Sequence, residues 1–182
     1  MSSKSVVQNQ FASTETELVA IALGSNMGDR HGLLRQALRA IIDQGVLTNV
    51  RASSVYETIA VGERAGGQFL NAVITGSCAL TPRQLLDACM GIEQSLGRNR
   101  AVEGQGGPRT IDLDVLFFGR REVREPDLIL PHPRMFSRIF VLQPLADIAG
   151  DLVLPSQKES VHFLLAWLDR TAMGSCVGTL EC

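Results

Sequence analysis

Lysine is nearly missing from this chain. Of the 17 basic side chains among 182 residues, only Lys4 and Lys158 are lysines, and fifteen are arginines. A P-loop needs a lysine directly after glycine, and neither lysine has one there. A Schiff-base mechanism would have to use one of the same two residues. A codon bias of the source genome would produce the same arginine excess. Aromatic residues are scarce as well, at 5 % of the chain with one Trp and one Tyr. An RNA-recognition sheet needs an aromatic platform, and no such pattern is present. A net charge of −2 lacks the basic excess of a dedicated nucleic-acid binder. The four cysteines, at 78, 89, 176 and 182, form no C-x-x-C pair, which excludes a zinc knuckle or a thioredoxin-type motif. Their irregular spacing points to four reduced thiols in a cytoplasmic protein. No apolar run is long enough for a membrane span, and polar residues 1–17 have no signal-peptide core. They are expected to form a flexible extension to a single domain over 18–182.

What is present is an alternation of strand and helix patterns. Leu18 to Leu23 predicts a buried strand ended by Gly24, and apolar pairs from Leu33 to Ile42 predict an amphipathic helix stopped by Gly45. Val46 to Thr58 is strand-like, residues 59–68 form a glycine-containing loop, and Phe69 to Cys78 is a further strand. Thr81-Pro82 opens a helix that Gly97 ends. A second glycine-rich loop over 98–108 leads to a strand over Thr110 to Phe118. Residues 119–130 can hold a short hairpin, Pro131-His132-Pro133 breaks the chain, and Glu159 to Asp169 fits a last helix. Strict β-α alternation is absent, so the expected class is α+β, a mostly antiparallel sheet with helices packed on it.

The segment Pro108-Arg109-Thr110-Ile111-Asp112-Leu113-Asp114-Val115-Leu116 carries the sharpest chemistry. On a strand, Ile111, Leu113 and Val115 share one face, and Asp112, Asp114 and Leu116 share the other. Two carboxylates about 6 Å apart repel by roughly 3 kcal/mol at an effective dielectric near 20. A divalent cation would convert that repulsion into a binding site, and hard oxygen donors favour Mg²⁺ over zinc. A solvated polar strand face has the same spacing. Arg109 beside the pair suits phosphate chemistry. Eight of the fifteen arginines fall within residues 98–138, against six acids. Arg120, Arg121 and Arg124 fit an ordinary solvated turn. Gly24-Ser25-Asn26-Met27-Gly28-Asp29 lacks the G-x-G-x-x-G order of a dinucleotide turn, and strand-to-helix turns use glycine for geometric reasons anyway. His132, held between two prolines, is either a displayed functional ring or a spectator.

These residues resemble the 6-hydroxymethyl-7,8-dihydropterin pyrophosphokinase family of folate synthesis. PRTIDLDVL fits P-R-x-x-D-x-D followed by two apolar residues. ALGSNMGDR, YETIAVG, QFLNAV, GIEQSLGRNR and LPHPRMFSRIFVLQPLADIA also occur in family order. The resemblance spans roughly Leu18 to Leu154. It implies a ferredoxin-like α+β core that transfers pyrophosphate from ATP to a pterin hydroxymethyl group, releasing AMP. By match, Asp112 and Asp114 would hold two Mg²⁺ ions, and Arg98 and Arg109 would stabilise the transferred group. Glu93, Arg100, His132 and Arg138 match ATP-side positions. Thr58, Val61, Phe69, Asn71 and Phe140 match the pterin pocket, where aromatic faces suit a flat ring and an asparagine suits its amide-like edge.

The chain departs from the family pattern in places. No aromatic stands in the loop before the Pro108-Arg109 pair, Ile59 and Ala60 replace a common T-P-P, and Met90 occupies a position that is sometimes polar. The expected partners are the two small substrates, with no nucleic acid, no membrane and a monomeric state. A non-enzymatic ferredoxin-like module lacks support from the aromatic content. An ATP-binding regulator without catalysis is opposed by the intact Arg98, Arg109, Asp112 and Asp114.

Overall fold

The computed structural model describes residues 16–59, 67–99, 107–155, 157–168 and 174–181. At its centre lies β1 (Glu17–Ser25), whose alternating side chains must satisfy two apolar layers. Val19, Ile21 and Leu23 enter one core cluster, and Ala20 enters the other. β1 pairs antiparallel with β4 (Phe69–Cys78) on one side and with β5 (Asp112–Phe118) on the other. β2 (Thr48–Ala52) and β3 (Ser54–Thr58) both pair with β4, and β8 (Ser175–Thr179) adds to β3. The principal path through the sheet is β5-β1-β4-β3-β8, and β6 (Val123–Glu125) with β7 (Leu128–Leu130) forms the expected separate hairpin.

Two helices cover one face. In α1 (Arg30–Asp43), the Asp29 carboxylate caps the first turn by accepting from the Gly32 N–H at 2.9 Å. α2 (Pro82–Ser95) starts with a complete capping box between Thr81 and Gln84 and a proline in its first turn. Gly45 and Gly97 follow these helices with φ of +65° and +89°, the left-handed conformation that glycine adopts without strain. Leu34, Leu38 and Ile41 from α1 and Leu85 and Ile92 from α2 pack on Val19, Ile21, Leu113 and Val115. With β2 and β3 counted as one interrupted strand, the order through β5 is β-α-β-β-α-β, and with an antiparallel sheet and two helices on one side it is the ferredoxin-like arrangement expected of the sequence. The opposite face is covered by α3 (Ile139–Ala149) and α4 (Val161–Trp167), which pack Val141, Leu142, Leu145 and Val161 on Ala20, Val73, Leu116 and Phe117.

Several local differences from the sequence reading have physical causes. β1 does not end at Gly24, because Gly24 pairs with both Asn71 and Asp112 and Ser25 pairs with Leu70. Glu17, grouped with the polar extension by composition, already pairs with Cys78. The strand expected over 46–58 divides at buried Ser53, whose Oγ accepts from the Val73 N–H at 2.9 Å. Between Ala20 and Ile21 the pairing skips Leu116, a β-bulge that turns Leu116 and Phe117 to the same core layer. β8 has mostly exposed side chains and no apolar alternation, so periodicity could not find it. The last helix is shorter than expected and begins after Ser160, which caps it. Cys78 and Cys89 are buried free thiols, and Cys176 is an exposed one. Among the described residues no helix is long and apolar enough to cross a membrane.

Candidate functional site

The site is built at one end of the sheet, where three strands converge on Gly24. Its cross-strand partners are Asn71 on β4 and Asp112 on β5. A Cβ at Gly24 would stand 3.4 Å from Asn71 Oδ1, 3.8 Å from Phe69 Cδ1 and 3.9 Å from Asp112 Cβ. Glycine therefore keeps the floor between these side chains open. Directly beyond it, the turn after β1 braces the segment that carries Arg109. Asn26 Oδ1 accepts from the Arg109 N–H at 2.8 Å, and the Asn26 N–H donates to the Arg109 carbonyl at 3.2 Å. Ser25, fully buried, donates its hydroxyl to the Thr110 carbonyl. Sequence reasoning missed Gly24, Ser25 and Asn26 as site-building residues. Their signals were a glycine-containing turn with several structural uses and the match of ALGSNMGDR to the family order, neither of which assigned them a role.

Asp112 lies between two guanidinium groups. Arg98 pairs with Asp112 Oδ1, and Arg109 Nη1 is 3.0 Å from Asp112 Oδ2. Arg98 also pairs with Glu93, whose Oε1 accepts from the Leu113 N–H at 2.8 Å. The Glu93 side chain is 1 % exposed, so in this structure it braces Arg98 and β5 from below. Asp114, two residues along the same strand face, has Arg138 Nη1 at 3.4 Å from Oδ2. The carboxylate repulsion expected from the sequence is thus countered by separate arginine partners.

His132 comes close to this group from the segment before α3. Its backbone N–H donates to the Leu116 carbonyl at 2.7 Å, and its Nδ1 accepts from the Arg134 N–H at 3.2 Å. Burial pushes its pKa below the ordinary histidine value, assisted by the cations Arg138 and Arg134 and opposed by Asp114. The ring is accordingly neutral near pH 7, with its N–H on Nε2. Burial also lowers the Arg138 pKa, although a guanidinium remains charged at any ordinary pH.

Among the residues matched to a pterin pocket, Asn71 lies across Gly24 from Asp112. Asn71 Nδ2 donates to Thr58 Oγ1 at 2.7 Å, and both residues are buried. The Arg109 guanidinium carbon lies 5.3 Å from the centre of the Phe69 ring, and that of Arg138 lies 5.4 Å from the centre of Phe140. Each aromatic ring is therefore tied to an arginine that also pairs with one of the two aspartates. The structure thus brings together Glu93, Arg98, Arg109, Asp112, Asp114, His132 and Arg138 with Thr58, Phe69, Asn71 and Phe140. Val61 and Arg100 lie outside the described residues, as does the loop stretch 103–106 that lacks an aromatic residue.

Comparison with known proteins gives a consistent result. The family model for 7,8-dihydro-6-hydroxymethylpterin-pyrophosphokinase (HPPK) matches residues 20–150. A 2-amino-4-hydroxy-6-hydroxymethyldihydropteridine pyrophosphokinase of Bacillus subtilis is 48 % identical over 128 residues, covering 70 % of this chain and 75 % of that protein. A protein of the same description from Methylorubrum extorquens is 41 % identical over 149 residues, covering 82 % of this chain and 92 % of the relative. Among solved structures, Plasmodium falciparum HPPK-DHPS with pterin and p-hydroxybenzoate aligns with a TM-score of 0.66 at 15 % identity. The alignment covers 84 % of this chain and 42 % of that one, and at such low identity the likeness is one of fold.

Proposed function

This chain belongs to the 7,8-dihydro-6-hydroxymethylpterin-pyrophosphokinase family and is an ATP-dependent pyrophosphokinase of folate biosynthesis, and from that premise we propose how its side chains divide the reaction. The pterin hydroxymethyl oxygen forms a bond to the β-phosphorus of ATP. The bond from that phosphorus to the oxygen carried by the α-phosphorus breaks, AMP leaves, and the hydroxyl proton is lost.

Asp112 and Asp114 are the proposed protein ligands for two Mg²⁺ ions. Both offer hard carboxylate oxygens from one strand face, and the Asp114 side chain is 37 % exposed. Among the described residues no three or more His, Cys, Asp or Glu groups surround a common point. That donor set suits magnesium, which commonly takes one or two carboxylates and completes its shell with phosphate oxygens and water. Bound there, magnesium would neutralise phosphate charge and help polarise the attacked phosphorus.

The arginines supply fixed positive charge around the transferred group. Arg98 is held in place by buried Glu93, and Arg109 by Asn26 and Phe69. Arg109 Nε is buried and meets no hydrogen-bond acceptor among the described residues, and a phosphate oxygen would provide one. On this reading the guanidinium groups exchange part of their contact with Asp112 for phosphate oxygens as the nucleotide enters. Arg138, Arg100 and neutral His132 complete the nucleotide side, with Glu93 acting through Arg98. Asn71 and Thr58 present polar edges to the pterin, and Phe69, Phe140 and Val61 present apolar surface.

The observation that carries this assignment is the placement of Asp112 between Arg98 and Arg109, one strand away from Asn71 across Gly24. Nucleotide binding should strengthen on adding Mg²⁺ in the wild type. That strengthening should be lost in Asp112→Asn and Asp114→Asn. Equal Mg²⁺ dependence in wild type and both variants would remove the two aspartates from the metal site. Incubation with ATP, Mg²⁺ and the dihydropterin alcohol should yield AMP, and ADP in its place would overturn attack at the β-phosphorus.

A further inference from the structure

The strand β8 lies beyond the residues matched by the family model, which end at 150. Its backbone pairs with β3 from Ser175 to Thr179, and it is anchored further at its two ends. Leu180 is buried in the core cluster, while the side chains of Ser175–Thr179 are mostly exposed. At the other end, Gly174 is gripped by the buried Gln143 side chain of α3. Gln143 Nε2 donates to the Gly174 carbonyl at 3.1 Å, and the Gly174 N–H donates to Gln143 Oε1 at 3.0 Å.

This clamp sets Gly174 against the back of Thr58. A Cβ at Gly174 would stand 2.6 Å from Thr58 Cγ2, 2.8 Å from the Glu57 carbonyl oxygen and 3.1 Å from Tyr56 Cβ. No side chain fits there without displacement. Thr58 is consequently held from two sides: its methyl faces Gly174, and its hydroxyl accepts from Asn71 at 2.7 Å. The two groups share one β-branched carbon and turn together about χ1. Any shift that relieves pressure on the methyl also moves the hydroxyl relative to Asn71.

We infer that Gly174 and Gln143 are positioning residues for the pterin subsite: the clamped start of β8 fixes the Thr58 rotamer, and through it the Asn71 amide that meets the pterin edge. This rests on the assignment of Thr58 and Asn71 to that subsite. The nucleotide groups Arg98, Asp112 and Asp114 reach the site from the segment after α2 and from β5, on the far side of Gly24, so the effect should be selective for the pterin.

The experiment measures dissociation constants for the dihydropterin alcohol and, separately, for a non-hydrolysable ATP analogue with Mg²⁺. In Gly174→Ala, pterin affinity should fall by about tenfold, as small misplacements of binding groups do, while nucleotide affinity stays within about twofold. Adding Thr58→Ser removes the methyl that the new Cβ meets and keeps the hydroxyl, so it should recover part of the loss. A folded Gly174→Ala protein with unchanged pterin affinity, or with equal losses for both ligands, would overturn the inference. Failure of the double variant to recover affinity would also count against it. Should Gly174→Ala not fold, Gln143→Glu, which keeps one half of the clamp, must show the same selective loss. Asn71→Ala separates the two levels of the argument. If it leaves pterin binding intact, the subsite assignment itself falls. If it abolishes binding while Gly174→Ala has no effect, only the role of β8 is rejected.

Discussion

The Arg109 guanidinium carbon stands 5.3 Å from the centre of the Phe69 ring, while Nη1 of the same group is 3.0 Å from Asp112 Oδ2. One side chain therefore touches both halves of the proposed site, the aromatic surface for the pterin and the carboxylate for the metal. Arg109→Ala should lower turnover by about 10²–10³, the usual cost of removing a group that stabilises transition-state charge. It should also weaken pterin binding several-fold, since Phe69 loses its cation. Arg109→Lys keeps the charge but not the planar fork, and it should recover little turnover. Steady-state kinetics with a separate pterin titration checks this, and wild-type turnover in the lysine variant would reject the geometric part of the argument.

The Glu93–Arg98 pair predicts a different phenotype. Both side chains are nearly buried, at 1 % and 8 % exposure. Removing Glu93 leaves buried Arg98 with Asp112 but without its most buried counter-charge, and leaves the Leu113 N–H without this acceptor. Glu93→Ala should therefore destabilise the fold by about 3–5 kcal/mol, and Glu93→Gln, which keeps an acceptor, by clearly less. Urea unfolding measures both. Small, equal losses in the two variants would show that the pair contributes little to folding.

Much of this site was legible in the run PRTIDLDVL. Strand alternation separates Ile111, Leu113 and Val115 from Asp112 and Asp114, and the structure keeps that separation. The Thr81-Pro82 helix start was equally readable, because its chemistry is local. The braces were not readable in the same way. Asn26 meets Arg109 across 83 positions of chain, and Gln143 meets Gly174 across 31. Such contacts depend on the completed sheet order, and nothing in a turn sequence or a buried glutamine announces them. β8 has no periodicity to detect, because its backbone pairing with β3 and its two anchored ends, rather than its side chains, hold it.

Tyr56 gives a spectroscopic check on the packing of α3 against β3. Its hydroxyl donates to Asp147, with both carboxylate oxygens at 3.0 Å. Burial, reinforced by Asp147, raises its pKa to about 12. It is the only tyrosine in the chain, so tyrosinate absorbance reports it alone. The titration midpoint should lie well above the ordinary value of about 10 and move down in Asp147→Asn. Between those values the unfolded chain gives up its proton first, so the folded state loses stability as pH rises from about 10 to 12. An ordinary midpoint in the folded protein would contradict the buried Tyr56–Asp147 contact.

Thr81 offers a control remote from the chemistry. Its side chain accepts from the Gln84 N–H, and Gln84 in turn caps the Thr81 N–H at 2.9 Å. Thr81→Ala should cost about 1 kcal/mol of stability while leaving turnover unchanged. A loss of turnover at temperatures where this variant is fully folded would mean that the α2 start is coupled to the site after all.

The central claim is that pyrophosphate transfer depends on the two strand-borne carboxylates, and single-turnover AMP formation tests it most directly. Wild type, Asp112→Ala and Asp114→Ala would each be mixed with ATP, Mg²⁺ and the dihydropterin alcohol after circular dichroism has established that they are folded. The account predicts AMP from the wild type and a rate below about a hundredth of it from either variant. A folded variant that kept more than about a tenth of the wild-type rate would contradict the assignment of that aspartate as a metal ligand.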